Sequence, residues 1–302
     1  MRIGTAYSQQ MSIDGIAERQ SRLADIQAQL SSGRRVNSPA DDPVAAAEAE
    51  RLRSKEARID SEKRAASLAQ QVLSSADSAL GDANDVLQSA REALLAAGTA
   101  TAGPGDRAKQ AEALRQLRDQ LLSIANRGDG TGGYLFGGQG ALTAPIDSTG
   151  TLYTPPAGTS TVGQQQQNPV SLDGRENFTA IRTSTGTESV FSRLDAAITT
   201  LSNPATTSAQ AVAIAGTTVD AVDRAMDRLS TTRTMVGERL KAIDAHTQAL
   251  ESGSIENQSR LSQLVDVDFA KAVSDLTQNQ TALEAAMKSY AQISKMSLFD
   301  YV

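Results

Sequence analysis

Leu52, Ile59, Ala66, Leu73, Leu80, Leu87 and Leu94 recur at a strict seven-residue spacing, and Ala69, Ala76, Ala83, Ala90 and Ala97 follow the later members by three. A sustained period of 3.5 residues predicts one long helix whose a and d positions face a partner helix in a left-handed supercoil. Leu alternating with Ala along that seam lets the two backbones approach closely. Gly81 lies beside the seam, where it costs about 1 kcal/mol relative to Ala. The helix has a marked start. Asp42 suits the N-cap, and Pro43 suits the first helical position, where a missing N–H costs nothing. Ser38 and Asp41 read as an upstream capping box. The helix is expected to end near Gly98.

A third helix is expected after Asp106, with Leu114, Leu117, Leu121 and Ile124 as its stripe, stopping at NRGDGTGG. The C-terminal half mirrors the first. Val212, Ala215, Val219, Val222, Met226, Leu229, Val236, Leu240, Ile243 and Leu250 keep alternating steps of three and four, with Arg233 and Thr247 as polar, register-fixing interruptions. His246, just off the seam beside Thr247, reads as a solvated or rim residue. Residues 134–188 are rich in Gly, Pro, Thr, Ser and Gln. Their short apolar pieces YLF (134–136), LY (152–153), PVSL (169–172) and FTAI (178–181) read as strands, and QQQQ (164–167) as an exposed loop. A short helix follows, with Val190, Leu194, Ile198 and Leu201 on one face, ending at Asn203-Pro204.

No helix here can bury its stripe alone, so those before and after the middle region must pair. The expected fold is mainly α: an antiparallel long-helix coiled-coil bundle formed by the N- and C-terminal halves, with a small all-β inserted domain. Its expected parts are terminal assembly helices (1–42 with 265–302), a coiled-coil rod (43–133 with 189–264) and the β insertion (134–188). Both ends carry weak amphipathic stripes. These are Ile3, Tyr7, Ile16, Leu23, Ile26 and Leu30 at the start, and Leu264, Phe269, Val273, Leu276, Leu283, Met287, Tyr290, Ile293 and Phe299 at the finish. Arg19 and Gln280 sit in line with them. Isolated helices of this kind are marginal in water. The ends are therefore expected to be mobile in the free chain and to order within an assembly, the alternative being that they already pair within one chain.

Composition narrows the function. A net charge of −6 supplies no basic footprint for nucleic acid. No run approaches the roughly 18–20 apolar residues that span a bilayer, and the start lacks a secretory signal peptide. With no Cys and one His, disulfides, zinc–thiolate sites, a Cys nucleophile and a His pair are excluded within the chain. GDGTGG (128–133) matches a dinucleotide-binding pattern, but a helix precedes it and a strand-like piece follows, the reverse of the order that chemistry needs. Asp41–Asp42 and Asp266–Asp268 read as capping or solvated carboxylates. A carboxylate site in the insertion (Asp147, Asp173, Glu176) has no His to support it. No catalytic, cofactor or metal residue is assigned.

LSSGRRVNSPADDPVAAAEAERLRS (30–54) and DVDFAKAVSDLTQNQTALEAAMKSYAQISKMSLFDYV (266–302) resemble the N- and C-terminal motifs of the bacterial flagellin family. Pro43 after Asp41-Asp42, the terminal Ser297-Leu298-Phe299-Asp300-Tyr301, and Gly133-Tyr134-Leu135-Phe136-Gly137-Gly138 resemble the hook-associated branch of that family more than the filament subunit. The resemblance covers about residues 1–138 and 205–302, and the middle region departs from it.

The resemblance implies a structural subunit, not an enzyme, forming a homo-oligomeric ring at the hook–filament junction. Hook-associated protein 1 would lie on one side and flagellin on the other. It implies export through the flagellar type III channel to an extracellular site, with a FlgN-type chaperone holding the C-terminal segment. The residues expected at the assembly interface are Ile16, Leu23, Ile26, Leu30, Leu276, Leu283, Met287, Tyr290 and Phe299. A bulk-filament flagellin is the nearest alternative. A chemoreceptor-like signalling coiled coil would need an anchor or sensory module.

Overall fold

The computed structural model describes residues 2–139, 142–156, 158–183 and 186–295. In chain order these form α1 (Arg2–Ser32), α2 (Pro43–Ala97), α3 (Pro104–Ala125), β1 (Thr161–Val162), β2 (Asn168–Pro169), a π-helical turn (Arg175–Thr179), β3 (Ile181–Thr183), β4 (Gly186–Glu188), α4 (Val190–Ser202), α5 (Ser208–Val265) and α6 (Phe269–Lys295). They group into two compact units, Met1–Ile59 with Ser252–Val302 and Asp60–Glu251.

In the second unit α2 and α5 run antiparallel. Gln70 bonds Asp244 at 3.0 Å, Arg233 bonds Asp77 at 3.0 Å and Arg91 bonds Asp223 at 2.7 Å, so rising numbers on one helix meet falling numbers on the other. Every seam member from Ile59 to Ala97 is buried. A third line at the same seven-residue spacing, Val72, Ala79, Val86 and Ala93, is buried too. A two-stranded coiled coil buries only a and d. The wider face arises because α3 and α4, packed on each other, join α2 and α5 in one core.

One half of the predicted α5 seam, Ala215, Val222, Leu229, Val236 and Ile243, is buried as expected, and the other half lies one residue earlier than the apolar pattern suggests. The buried line is Ala211, Thr218, Ala225 and Thr232, alternating with Ala215, Val222, Leu229, Val236 and Ile243. Val212 is exposed, and Arg233 stands at the rim paired with Asp77. The polar seam members are therefore Thr218 and Thr232, and Thr232 Oγ1 donates to Asn177 Oδ1 at 2.6 Å. α3 begins two residues before Asp106, with Pro104 at its first position behind Gly103.

The insertion contains two antiparallel two-stranded sheets, β1–β2 and β3–β4. Its apolar pieces supply core more than strand. Leu135, Phe136, Leu172, Phe178 and Ile181 are buried, but Leu135 and Phe136 sit in turns and Phe178 in the π-helical turn. Phe136 and Phe178 meet edge to face at 5.2 Å, and Phe178 lies 6.4 Å from Phe191 at the start of α4. Val190, Leu194, Ile198 and Leu201 of α4 are all buried, as their spacing predicts.

In the first unit polar groups replace the leucines between α2 and α5. The Glu56 carboxylate accepts from Ser254 Oγ, from Asn257 Nδ2 at 2.7 Å and from Gln258 Nε2 at 3.1 Å. Asn257 Nδ2 also reaches Leu52 O at 2.9 Å.

Candidate assembly interface

The terminal helices are held by two short connections. α1 ends at Ser32, and Gly33 takes φ +70°, the left-handed geometry that closes a helix without a Cβ penalty. The chain then pairs with the α5–α6 connection. Arg35 N donates to Val265 O at 2.7 Å, Val267 N to Gly33 O at 3.0 Å, and Arg35 Nη2 to Leu264 O at 2.6 Å. Asp41 Oδ2 accepts from Ser38 N at 2.8 Å and Asn37 N at 2.9 Å, so the expected box closes a turn ahead of the helix. Asp42 Oδ1 caps α2 through Ala45 N at 3.0 Å. These N–H groups, Ser38 first for Asp41 and Ala45 first for Asp42, hold both carboxyls below their ordinary range.

This arrangement places the start of α6 at the end of α1, with Phe269 lying 3.8 Å from where a Gly33 Cβ would stand, and the two helices pack side by side. The ends therefore pair within one chain, the alternative noted above. On α6 a partly covered line runs through Ala272, Leu276, Asn279, Leu283, Ala286 and Tyr290 in steps of four and three. On α1 the matching line includes Ser12, Ile16, Leu23, Ile26 and Leu30, with Arg19 exposed in register. Asn279, not Gln280, is the polar member of the α6 line.

Of the expected interface residues, Ile16, Leu23, Ile26, Leu30, Leu276, Leu283 and Tyr290 lie half-buried on these lines, and Met287 is 44% exposed. Phe299 lies outside the described residues, and the side chains of Ile3 and Ile293 are likewise not described. A second apolar set stays in solvent after the helices pair. It comprises Tyr7, Met11 and Ile13 on α1, and Phe269, Val273 and Met287 on α6. Met11 and Ile13 escaped the sequence reading because they fall off the main stripe. Val273 and Met287 are separated by two heptads, the signal that marks them as one face.

The other candidates take up structural duties. Asp129 Oδ1 accepts from Thr131 N at 2.7 Å and Gly133 N at 2.9 Å, making GDGTGG a tight turn after α3. Asp147 gathers Thr149 Oγ1, Thr151 N and Leu152 N; Asp173 accepts from Gly158 N and Arg175 N; Glu176 pairs with Arg228. Burial, with Asp173 adding, pushes the Tyr153 phenol up to about 12, and its hydroxyl donates to Phe136 O at 2.9 Å. No cluster of three or more His, Asp or Glu suited to a metal ion occurs among the described residues. His246 is half-buried, as a rim residue is, and its Nε2 has no hydrogen-bond partner among the described residues.

Comparison with known proteins agrees with this architecture. Residues 3–141 match the bacterial flagellin N-terminal helical region and residues 219–302 the bacterial flagellin C-terminal helical region. The chain is 30% identical over 315 residues to the flagellar hook-associated protein 3 of Escherichia coli K12 and 29% identical over 316 residues to that of Salmonella typhimurium LT2, with 99% of each chain covered in both cases. Among solved structures, Xanthomonas campestris FlgL superposes with a TM-score of 0.62 at 22% identity, covering 71% of this chain and 99% of that one. Two flagellin-type helical regions flanking a small insertion, together with end-to-end similarity to these relatives, show that the chain belongs to the bacterial flagellin family and, within it, to the flagellar hook-associated protein 3 group.

Proposed function

We propose that the chain is the structural subunit of a ring joining the flagellar hook to the flagellin filament. The observation that carries this is the apolar set left in solvent on α1 and α6 after these helices have covered each other: Tyr7, Met11, Ile13, Phe269, Val273 and Met287. Exposed apolar faces of this kind mark surfaces used for association. Head-to-tail contacts between identical subunits close into rings or open into helices.

In this reading residues 1–42 and 265–302 are the assembly segment, 43–133 with 189–264 the supporting rod, and 134–188 the small β insertion. Leu276, Leu283 and Tyr290 with Ile16, Leu23, Ile26 and Leu30 make the intrachain seam that presents the outer face. Met287 lies on that face, and Phe299 belongs to the same assembly segment by sequence. Hook-associated protein 1 and flagellin are the neighbours on the two sides. A FlgN-type chaperone covers the C-terminal segment before export through the flagellar type III channel. The absence of cysteine and the polar Glu56–Asn257 layer suit passage as an extended chain.

Quantitative fractionation of purified flagella tests this. A few copies per flagellum, localised by antibody at the hook-proximal end, is the expected result. Labelling along the whole filament would make the chain a bulk flagellin instead.

A further inference from the structure

Glu62 is a buried carboxylate, 3% exposed, on α2. Its Oε1 accepts from the backbone N–H of Gln164 at 2.6 Å and of Gln165 at 2.9 Å. Those residues belong to the loop between β1 and β2, whose glutamine side chains point into solvent. The loop turns tightly enough to reach the helix because Gly163 adopts φ +110°. A Cβ there would stand 2.1 Å from Gln166 O and 3.1 Å from Glu62 Oε2. Glu62 Oε2 is buried and has no hydrogen-bond partner among the described residues, as is also true of His246 Nε2 on α5. His246 is the titratable neighbour that acts on Glu62, and the loop brings only backbone N–H groups. A buried carboxylate is tolerated where N–H donors replace the water it has lost.

We propose that Glu62 is an acid-labile clasp that docks the Gln164–Gln167 loop of the insertion onto α2, with His246 beside it. The loop has no apolar side chain of its own at 163–167 to fix it, so the two charge-assisted hydrogen bonds are its anchor. The Gln165 N–H, opposed by burial and helped by the Gln164 N–H and His246, holds the Glu62 carboxyl below its ordinary range. A depressed carboxyl stabilises the docked state above the ordinary carboxylate pKa, and that stabilisation is lost as pH falls through the depressed one. Protonation removes the acceptor charge and frees the loop while the Leu-rich core remains closed.

Amide hydrogen exchange on the full chain, corrected for intrinsic rates, reads this directly. At neutral pH the Gln164 and Gln165 amides of the wild type are protected. That protection falls tenfold or more on acidification, before any loss at Leu73–Leu94. Glu62→Gln shows the low protection already at neutral pH and no further change with acid. Glu62→Ala does the same, with a circular-dichroism melt reporting whether the rod stays folded. His246→Asn moves the opening to higher pH. Protection at Gln164 and Gln165 that is unchanged in Glu62→Gln, or that disappears only together with the Leu73–Leu94 amides, would overturn the proposal.

Discussion

Two glycines show how differently one residue type serves the same helix. Gly81 lies within α2, and a Cβ there would meet only the far end of Arg233, its guanidinium carbon at 3.7 Å, which is ordinary contact. Gly81→Ala is therefore expected to raise stability by about 0.5–1 kcal/mol, since the helix loses a residue that weakens it and gains no clash. Gly98 closes the same helix where the chain touches α5, and a Cβ would stand 2.7 Å from Ala215 Cβ. Gly98→Ala should lower stability by about 1–3 kcal/mol through overpacking. Denaturant midpoints of the two variants, measured at equal slope, separate the cases, and a gain for Gly98→Ala would refute the close approach. The sequence showed Gly81 as a residue that weakens the helix but could not show Gly98 as a contact, because which residue faces it depends on the register of α5. Asp42 and Pro43 were legible because capping chemistry is local: the carboxylate and the N–H it accepts lie three residues apart.

At the level of elements, legibility depended on how many turns repeated the signal. The seam of α2 was readable from Ile59 to Ala97 because every heptad carried it. On α5 the line Ala215, Val222, Leu229, Val236 and Ile243 was readable, and the alternating line was misplaced by one residue. At each step the larger apolar residue (Val212, Val219, Met226) adjoins a smaller one (Ala211, Thr218, Ala225), and tight packing selects the smaller, whereas a count of hydrophobicity selects the larger. The insertion was legible as a small irregular unit with apolar anchors. The π-helical turn at 175–179 was not, since a single turn leaves no period to detect. Two substitutions test the packing. Leu80→Ala removes a fully buried seam side chain and should cost about 2–5 kcal/mol. Thr232→Val keeps the volume of a seam residue but leaves Asn177 Oδ1, buried against α5, without the hydroxyl at 2.6 Å. Its cost should be about 1–3 kcal/mol. A Thr232→Val variant as stable as the wild type would show that this hydroxyl adds nothing beyond filling space.

Across the whole molecule, buried apolar area is divided unequally. The contiguous core runs through residues 66–243 and, among the described residues, contains the largest fully buried side chains, from Leu73 to Leu194. The other unit buries Val36, Ala45, Ala49, Ile59, Val265 and Ala272, and its α2–α5 contact is a polar layer around Glu56. Local stability follows buried apolar contact. The free chain should therefore lose its helical signal in two steps on denaturation, first from Met1–Ile59 with Ser252–Val302 and then from Asp60–Glu251. Hydrogen exchange should show amides of α1 and α6 opening before those of residues 73–94, even though the two helices pair in the free chain. Assembly removes the first step, because neighbours that bind only the folded ends stabilise them by mass action. The pair Val273→Asp and Met287→Asp provides the complementary test. Both sites are exposed, at 51% and 44%, so both melting steps should stay where they were while swimming and ring formation are lost. One coincident transition for all helices, or motile cells carrying both charges, would mean that the terminal helices are a finished domain and not an assembly surface.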